Sequence, residues 1–173
     1  MQTRVLVPSG VLGLGFDSDA LARGVAAGPD IIAIDGGSTD SGPFYLGTGT
    51  SKYSRAVCRD EWRQLLEARA AAGVPLVIGS CGTCGTASTV DWMFEITCEL
   101  AAELGQTLRV ARLYSDVPVE ALRHARDADR LTPLHPAQAT DDDALAGMTN
   151  IVALAGAEQI QAAINTGADV VLA

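Results

Sequence analysis

Short apolar runs alternate with amphipathic segments along the chain, and this alternation limits the fold more than any other feature. Six runs have the length and apolar content of buried strands: residues 5–7, 30–34, 75–78, 108–113, 150–154 and 169–172. Helical segments separate them: one capped by Asp17 or Ser18, and others at about residues 60–72, about 88–104, 119–128, 141–146 and 157–165. Strands joined by helices form a parallel sheet with helices on both faces. We therefore predict a three-layer α/β/α fold, in which a doubly wound, mainly parallel sheet of about six strands forms a single Rossmann-like domain over residues 1–173.

The charge of the chain argues against two broad classes of partner. Its formal net charge is −9, and Lys52 is the one lysine among 12 lysines and arginines. Nucleic-acid binding needs clustered basic residues that displace phosphate counterions, and an acidic surface also disfavours anionic membranes. The apolar runs fall short of the ~20 residues that a membrane helix needs, and no secretory leader precedes the first strand. We expect a cytoplasmic protein whose four cysteines are thiols.

Ligands of open parallel sheets bind at the carboxyl ends of the strands. That rule selects four loops rich in glycine and small polar residues, at residues 9–16, 35–54, 79–86 and 114–117. The candidate substrate-binding residues come from these loops: Ser9, Gly10, Gly36, Gly37, Ser38, Thr39, Lys52, Gly79, Ser80, Gly82, Thr83, Cys84, Gly85 and Ser115. We therefore expect one functional edge of the sheet.

The third of these loops carries the most specific pattern. Gly79, Gly82 and Gly85 recur at every third position between a strand and a helix. Backbone amides and the helix dipole at such a place favour a phosphate, a carboxylate or a thioester oxygen. Ser88 and Asp91 form a pair typical of a helix start. The loop lacks the Gly-Lys-Ser/Thr ending of a Walker loop and the spacing of the dinucleotide fingerprint, and a tight structural turn would need the same glycines.

Two cysteines in this loop, Cys81 and Cys84, are candidates for covalent chemistry. A helix N-terminus lowers the pKa of a thiol, and the thiolate is the reactive form, so Cys81 is a candidate catalytic residue. The Cys-Gly-Thr-Cys spacing is also found in redox dithiols, although the thioredoxin-like setting is missing. A zinc site would need two further ligands, whereas Cys58 and Cys98 are spaced like core or helix-face thiols, and we predict no metal site. Inert packing of both cysteines is the remaining alternative.

Two carboxylates, Asp35 and Asp40, flank a Gly-Gly-Ser-Thr segment in the second loop and are the other candidate catalytic residues. Carboxylates beside hydroxyls and glycines can transfer protons or hold a polar ligand. The same residue types also make Asx and Ser/Thr turns. Lys52, farther along this loop, could supply positive charge to an acid group. The two histidines, His124 on a predicted exposed helix face and His135 in a connector, do not support a Cys-His or Ser-His-Asp arrangement.

Several runs of the sequence resemble the acyclic terpene utilisation (AtuA-like) family. They are Val-Pro-Ser-Gly at residues 7–10 with Gly13 and Gly15, Ile-Asp-Gly-Gly-Ser-Thr-Asp-Ser-Gly-Pro at 34–43 with Tyr-Leu-Gly at 45–47, Ile-Gly-Ser-Cys-Gly-Thr at 78–83, and residues 150–152 and 167–171. The resemblance covers nearly the whole chain but only the N-terminal part of the usual family member, which continues with a Gly-Arg-containing loop. It implies a role in the catabolism of acyclic isoprenoids through acyl-CoA intermediates.

The loops and the resemblance together lead to one leading hypothesis and two alternatives. The leading hypothesis is a catabolic enzyme, or a subunit of one, with lyase, hydratase or hydrolase chemistry on an acyl-CoA or carboxylate substrate. The CoA thioester would enter as a substrate, and no cofactor is implied. The first alternative is a non-catalytic ligand-binding or assembly subunit, and the second is a redox or metal protein built on Cys81 and Cys84. Because relatives continue beyond Ala173, we expect a homo-oligomer or a partner subunit that supplies the missing C-terminal part.

Overall fold

The computed structural model of the chain describes residues 2–37, 43–134 and 141–173. Its strands are β1 (Val5–Leu6), β2 (Ile31–Asp35), β3 (Leu76–Gly79), β4 (Val110–Arg112) and β5 (Val170–Leu172). They form a five-stranded sheet in the order β1-β2-β3-β5-β4, in which all neighbours are parallel. This sheet confirms the predicted α/β fold, with one strand fewer than expected.

Helices occupy the crossover positions between these strands. They are α1 (Ser18–Ala26), α2 (Phe44–Thr48), α3 (Arg55–Ala72), α4 (Ala87–Glu103), α5 (Val119–Asp127), α6 (Asp142–Ala146) and α7 (Ala157–Asn165). The chain moves outward from β1 to β4 and then steps back to β5. Because parallel crossovers are right-handed, the backward step places its helix on the opposite face of the sheet. Within the described ranges, no helix has both the length and the apolar sequence needed to cross a bilayer.

One face of the sheet, the closed face, is covered by α1, α3 and α4 and carries the main core. Alternate strand residues point to this face, since side chains alternate along a strand. They are Ile32, Ile34, Leu76, Ile78, Val170 and Leu172, all buried. Trp62 of α3 is fully buried among them, and its Nε1 donates to the Thr97 hydroxyl of α4 at 2.9 Å. The closed face therefore joins the sheet and two helices into one core.

The opposite face, the open face, is only partly covered in the described part of the chain. A smaller cluster packs here beneath α7: Ala168, Val77 and Val171 against Ile160, Ala163 and Ile164. Toward β1 this cover ends, so Val5 and Val7 are 56% and 58% exposed. Leu6, between them in sequence, packs against the closed-face core. Val5 and Val7 thus share the open face, since residues two apart on a strand point the same way.

Local hydrogen bonds explain where the predicted helices begin and end. The Ser54 hydroxyl accepts from the Val57 amide, so α3 begins about five residues before the expected start. Gly73 ends α3 in the left-handed conformation, as its position predicts. The short helix α2 lies where the sequence indicated a loop. Its Thr48 hydroxyl donates to the Phe44 carbonyl at 2.8 Å.

The helix α4 begins within one residue of its predicted start, but it is not capped by the predicted pair of Ser88 and Asp91. The helix begins at Ala87, and Asp91 instead accepts from Arg112 and from the Tyr114 hydroxyl. The Ala87 amide donates at 2.6 Å to the carboxylate of Asp116, which lies after β4. A distant carboxylate therefore replaces the local cap that the sequence pattern indicated.

The predicted strand at residues 150–154 does not join the sheet, and this prediction was wrong. Its Val152 forms an isolated antiparallel bridge with Asp116 in the loop after β4. The Val117 amide donates to the Ile151 carbonyl, and the Ala153 amide to the Ser115 carbonyl, both at 2.8 Å. The physical reason is that β5 pairs with both β3 and β4 and so takes the inner position. The segment instead builds the wall of a cavity.

Candidate functional site

The loop after β3, residues 80–86, follows a strained path. Ser80 has a φ of 54° and Thr83 a φ of 78°. Residues with a side chain rarely adopt this left-handed region, and β-branched ones least of all. The Thr83 amide donates to the Gly36 carbonyl at 3.1 Å, which helps to hold the conformation. Backbone strain of this kind persists where the surroundings fix it, and it is frequent at functional sites.

Two glycines of the loop after β2 allow this close approach. A Cβ atom on Gly37 would lie 2.3 Å from Thr83 Cα, and one on Gly36 would lie 2.7 Å from the Ser80 carbonyl oxygen. The Lys52 amide donates to the Thr83 hydroxyl at 3.0 Å. Gly36, Gly37 and Lys52, three predicted substrate-binding residues, therefore support the loop after β3 through their backbones.

The predicted cradle of backbone amides needs correction. The amides of Cys81, Thr83, Cys84 and Gly85 donate to carbonyl oxygens of the chain itself. These four donors are already satisfied, so the prediction that they face a ligand was wrong. At the N-terminus of α4, the anion position expected for a ligand is taken by the Asp116 carboxylate. Side chains, more than amides, must supply the polar contacts of a ligand here.

A cavity of about 230 Å³, the carboxyl-edge pocket, opens where β3, β4 and β5 end. Its polar side chains are Ser80 and Cys84 from the loop after β3 and Ser115 from the loop after β4. The rest of the lining is apolar or glycine: Gly79, Gly85, Val152, Ala153, Leu154, Ala155, Ile160 and Ala173. The connections after β3 and β4 lead to opposite faces of the sheet, and ligand crevices form at such points. Five predicted residues, Gly79, Ser80, Cys84, Gly85 and Ser115, therefore meet in one cavity.

The two loop cysteines lie in different surroundings. Cys81 has no exposed surface and packs in the closed-face core, and burial raises the pKa of its thiol. The expectation of a lowered pKa and an accessible Cys81 is therefore contradicted. Cys84 lines the carboxyl-edge pocket, with its Sγ 3.5 Å from the Thr89 hydroxyl and 3.6 Å from the Thr86 hydroxyl. Cys84 is itself only 6% exposed, but because it lines the pocket, it is the one of the two thiols that a ligand there could contact.

A second cavity, the open-face depression, lies beside the pocket and has a volume of about 440 Å³. Its lining includes Val7, Gly10, Ala33, Asp35, Val77, Gly79, Ser80 and Ile160. Asp35 Oδ1 also accepts from the Gly37 amide at 2.9 Å. This bond makes the Asx turn that was the structural alternative for Asp35, yet the residue still lines a cavity. The turn and the site are compatible.

The remaining predicted residues fall into three groups. Ser9 forms a local turn, since its Oγ donates to the Val11 carbonyl and accepts from the Val11 amide. Gly82 and Thr83 are buried within the loop after β3. Ser38, Thr39 and Asp40, together with His135, lie outside the described residues. The site as described therefore rests on Asp35, Ser80, Cys84, Ser115 and their glycine neighbours.

The model of the acyclic terpene utilisation family protein AtuA matches residues 46–173. This chain belongs to that family. No curated protein and no solved structure matches it. The matched range of this AtuA family member begins within α2 and includes the whole carboxyl-edge pocket, whereas Gly10 and Asp35 lie before it.

One residue that positions this edge was missed in the sequence. Glu61 of α3 is only 5% exposed, and its two carboxylate oxygens accept from the Gly13 amide at 2.7 Å and the Gly15 amide at 2.8 Å. The loop after β1 is thereby tied to the core of this AtuA family member, next to the Tyr53 ring that packs on Gly13. A signal existed, because Glu61 lies on the same helix face as Cys58, Trp62 and Leu65. An acid within an apolar stripe indicates a buried partner.

The redox and metal alternatives both depend on how the cysteines and other possible metal ligands are arranged. All four cysteines are free thiols. Burial, with a smaller contribution from the neighbouring Glu61, raises the pKa of Cys58 to about 11. In the ranges that the structure describes, no three His, Cys, Asp or Glu side chains are grouped closely enough to hold a metal ion. His124 lies on an exposed helix face, as expected.

Proposed function

We propose that this chain is a catabolic enzyme of acyclic terpene utilisation, or a subunit of one, that binds an acyl-CoA or carboxylate substrate in the carboxyl-edge pocket. The family supports the pathway, and the pocket supports the substrate class. The observation that carries the proposal is the combination of an apolar wall with three convergent side chains, Ser80, Cys84 and Ser115. Ligand pockets are typically apolar with a few such polar groups.

Each of these side chains has a role that follows from its chemistry. The alkyl part of an acyl group would pack against residues 152–155, which form the apolar wall. The hydroxyls of Ser80 and Ser115 can donate to the acyl carbonyl oxygen. Donors at that place favour reactions in which negative charge develops on the oxygen, which is common to hydratase, lyase and hydrolase chemistry. Cys84 replaces Cys81 as the thiol in contact with substrate. Asp35, which lines the adjoining open-face depression and not this pocket, is the proposed proton-transferring group.

The first experiment measures the binding of substrate. Calorimetric titration with butanoyl-CoA should give a dissociation constant that rises about tenfold in Ser115→Ala or Cys84→Ala, as expected when a buried polar contact is lost. The matched control is Cys98→Ala, because Cys98 is an exposed thiol on α4 that does not line the pocket. Equal binding by the two pocket variants and by the wild type would contradict the proposed site.

A non-catalytic binding subunit is the second candidate, and the satisfied amides of the loop after β3 favour it. An oxyanion site usually presents free donors, and four expected donors here are already used. Chromatographic analysis of butanoyl-CoA after incubation distinguishes the two. Conversion that Asp35→Asn abolishes supports the enzyme, whereas tight binding with no conversion in the intact complex supports the binding subunit.

A further inference from the structure

The carboxyl-edge pocket and the open-face depression share three residues. Gly79, Ser80 and Ile160 line both cavities. The left-handed backbone of Ser80 places this residue at the boundary between them. The two cavities are therefore neighbours along the ends of the strands, with Ser80 between them.

The two cavities differ in volume, and the difference concerns how large a ligand the carboxyl-edge pocket can hold. The carboxyl-edge pocket holds about 230 Å³, whereas pockets for ligands of ordinary size measure roughly 300–1,000 Å³. The open-face depression holds about 440 Å³. A ligand larger than a short acyl group would extend beyond the first cavity, and the shared residues offer a path into the second, which is shallow and wide open to solvent.

The lining of the depression indicates which part of a ligand it suits. Val7, Ala33 and Val77 line it from three neighbouring strands or strand ends, and Ile160 lines it from α7. Asp35, at the carboxyl end of β2, is the acidic side chain among its lining residues. Apolar surface that is continuous with a polar site favours a hydrocarbon chain attached to the polar group.

From this continuity we propose that the open-face depression is the chain subsite of the same substrate. The acyl end would lie among Ser80, Cys84 and Ser115, and the aliphatic chain would pass Ser80 and lie over Val7, Ala33 and Val77. This inference rests on the proposed function, because it needs an acyl group in the carboxyl-edge pocket.

The experiment varies chain length and blocks the depression. Calorimetry with straight-chain CoA thioesters from butanoyl to decanoyl should show the dissociation constant falling roughly two- to fourfold for each added CH₂ beyond the first few. Val7→Asp should remove most of that gain, so that decanoyl-CoA binds the variant little more tightly than butanoyl-CoA does. Val5→Asp is the matched control, because Val5 has nearly the same exposure on the same face but does not line the depression. It should retain the chain-length gain.

Three other outcomes would overturn the inference, and the measurements distinguish them from one another. Equal affinity for all chain lengths, with butanoyl-CoA binding still sensitive to Cys84→Ala, would leave the proposed function intact and exclude the chain subsite. No binding at any length would overturn both. Equal losses in Val7→Asp and Val5→Asp, accompanied by the loss of a dimer in analytical ultracentrifugation, would assign the open face to a second copy of the chain and overturn the subsite.

Discussion

The two faces of the sheet use similar residues for different purposes. On the closed face, valine, leucine and isoleucine side chains are buried against Trp62 and its neighbours on α3 and α4. On the open face, Val5 of β1 and Val7 just after it remain more than half exposed, and the cover by α7 lies over β3, β4 and β5. The closed face accounts for the stability of the fold, and the open face borders both cavities. The difference shows that apolar content alone does not identify the core of this chain.

The largest effect on stability is expected for Trp62→Ala on the closed face, and this variant tests the comparison of the two faces. Removing a fully buried Trp side chain should lower the free energy of unfolding by about 3–5 kcal/mol. Val7→Ala on the open face should lower it by no more than about 0.5 kcal/mol, because that side chain is already exposed. Urea denaturation followed by fluorescence or circular dichroism measures both. Similar losses in the two variants would mean that the open face is also a structural core.

A second prediction concerns Glu61, which joins the closed-face core to the loop after β1. Glu61→Gln replaces one acceptor oxygen with an amide donor that faces a backbone amide, and should cost about 1.5–3 kcal/mol. Hydrogen exchange should accelerate at the Gly13 and Gly15 amides. Glu67→Gln is the control, since Glu67 is exposed on the same helix. Unchanged exchange at both glycines would show that these hydrogen bonds do not order the loop.

The third prediction concerns the alkylation rates of the four cysteines, which differ in burial. At pH 8, iodoacetamide should alkylate the exposed Cys98 first and Cys84 at least about tenfold faster than Cys81 or Cys58. The reason is that burial raises the pKa of both Cys81 and Cys58, so little thiolate forms at these two sites. Peptide mapping of the folded protein gives the four rates. Rapid alkylation of Cys81 would restore it as the candidate nucleophile.

The smallest expected effect lies outside the core, between α3 and α4. Arg55 donates to Glu99 at 2.8 Å, and this hydrogen bond holds the pKa of Glu99 below its ordinary value. A lowered pKa in the folded state adds stability above the unfolded pKa, and that part is lost as the pH falls through the folded value. Glu99→Gln should therefore flatten the stability profile slightly below about pH 4. Because the pair is exposed, the difference should shrink further in 1 M salt, and thermal melts between pH 3 and 7 test it.

The sequence predicted the sheet well because its signals are local. Apolar runs such as residues 75–78, with Gly73 before them, specify a strand and a helix end without reference to distant residues. The different surroundings of the two loop cysteines could not be predicted in this way: Cys81 packs in the core, whereas Cys84 lines the pocket. Both follow the same strand, and their separation depends on the turn around Gly82 and on Thr83 packing against Gly37.

The failures share one physical cause, which is competition for hydrogen-bond partners within the chain, both near and distant in sequence. Residues 150–154 have strand character, yet β5 occupies the place between β3 and β4. Likewise, the amides of the loop after β3 looked available, but carbonyl oxygens from the chain itself accept from them. A local pattern shows what a segment can form, whereas the fold decides which partner it has.

The Asp116 carboxylate on the first amide of α4 acts as a built-in competitor for anions. It is adjacent in sequence to Ser115 of the carboxyl-edge pocket but does not itself line that pocket, so it adds negative charge beside the proposed site of the acyl group. A thioester carbonyl carries no net charge and escapes that repulsion. For the function proposed above, this charge at the N-terminus of α4 would favour an activated acyl group over the free acid.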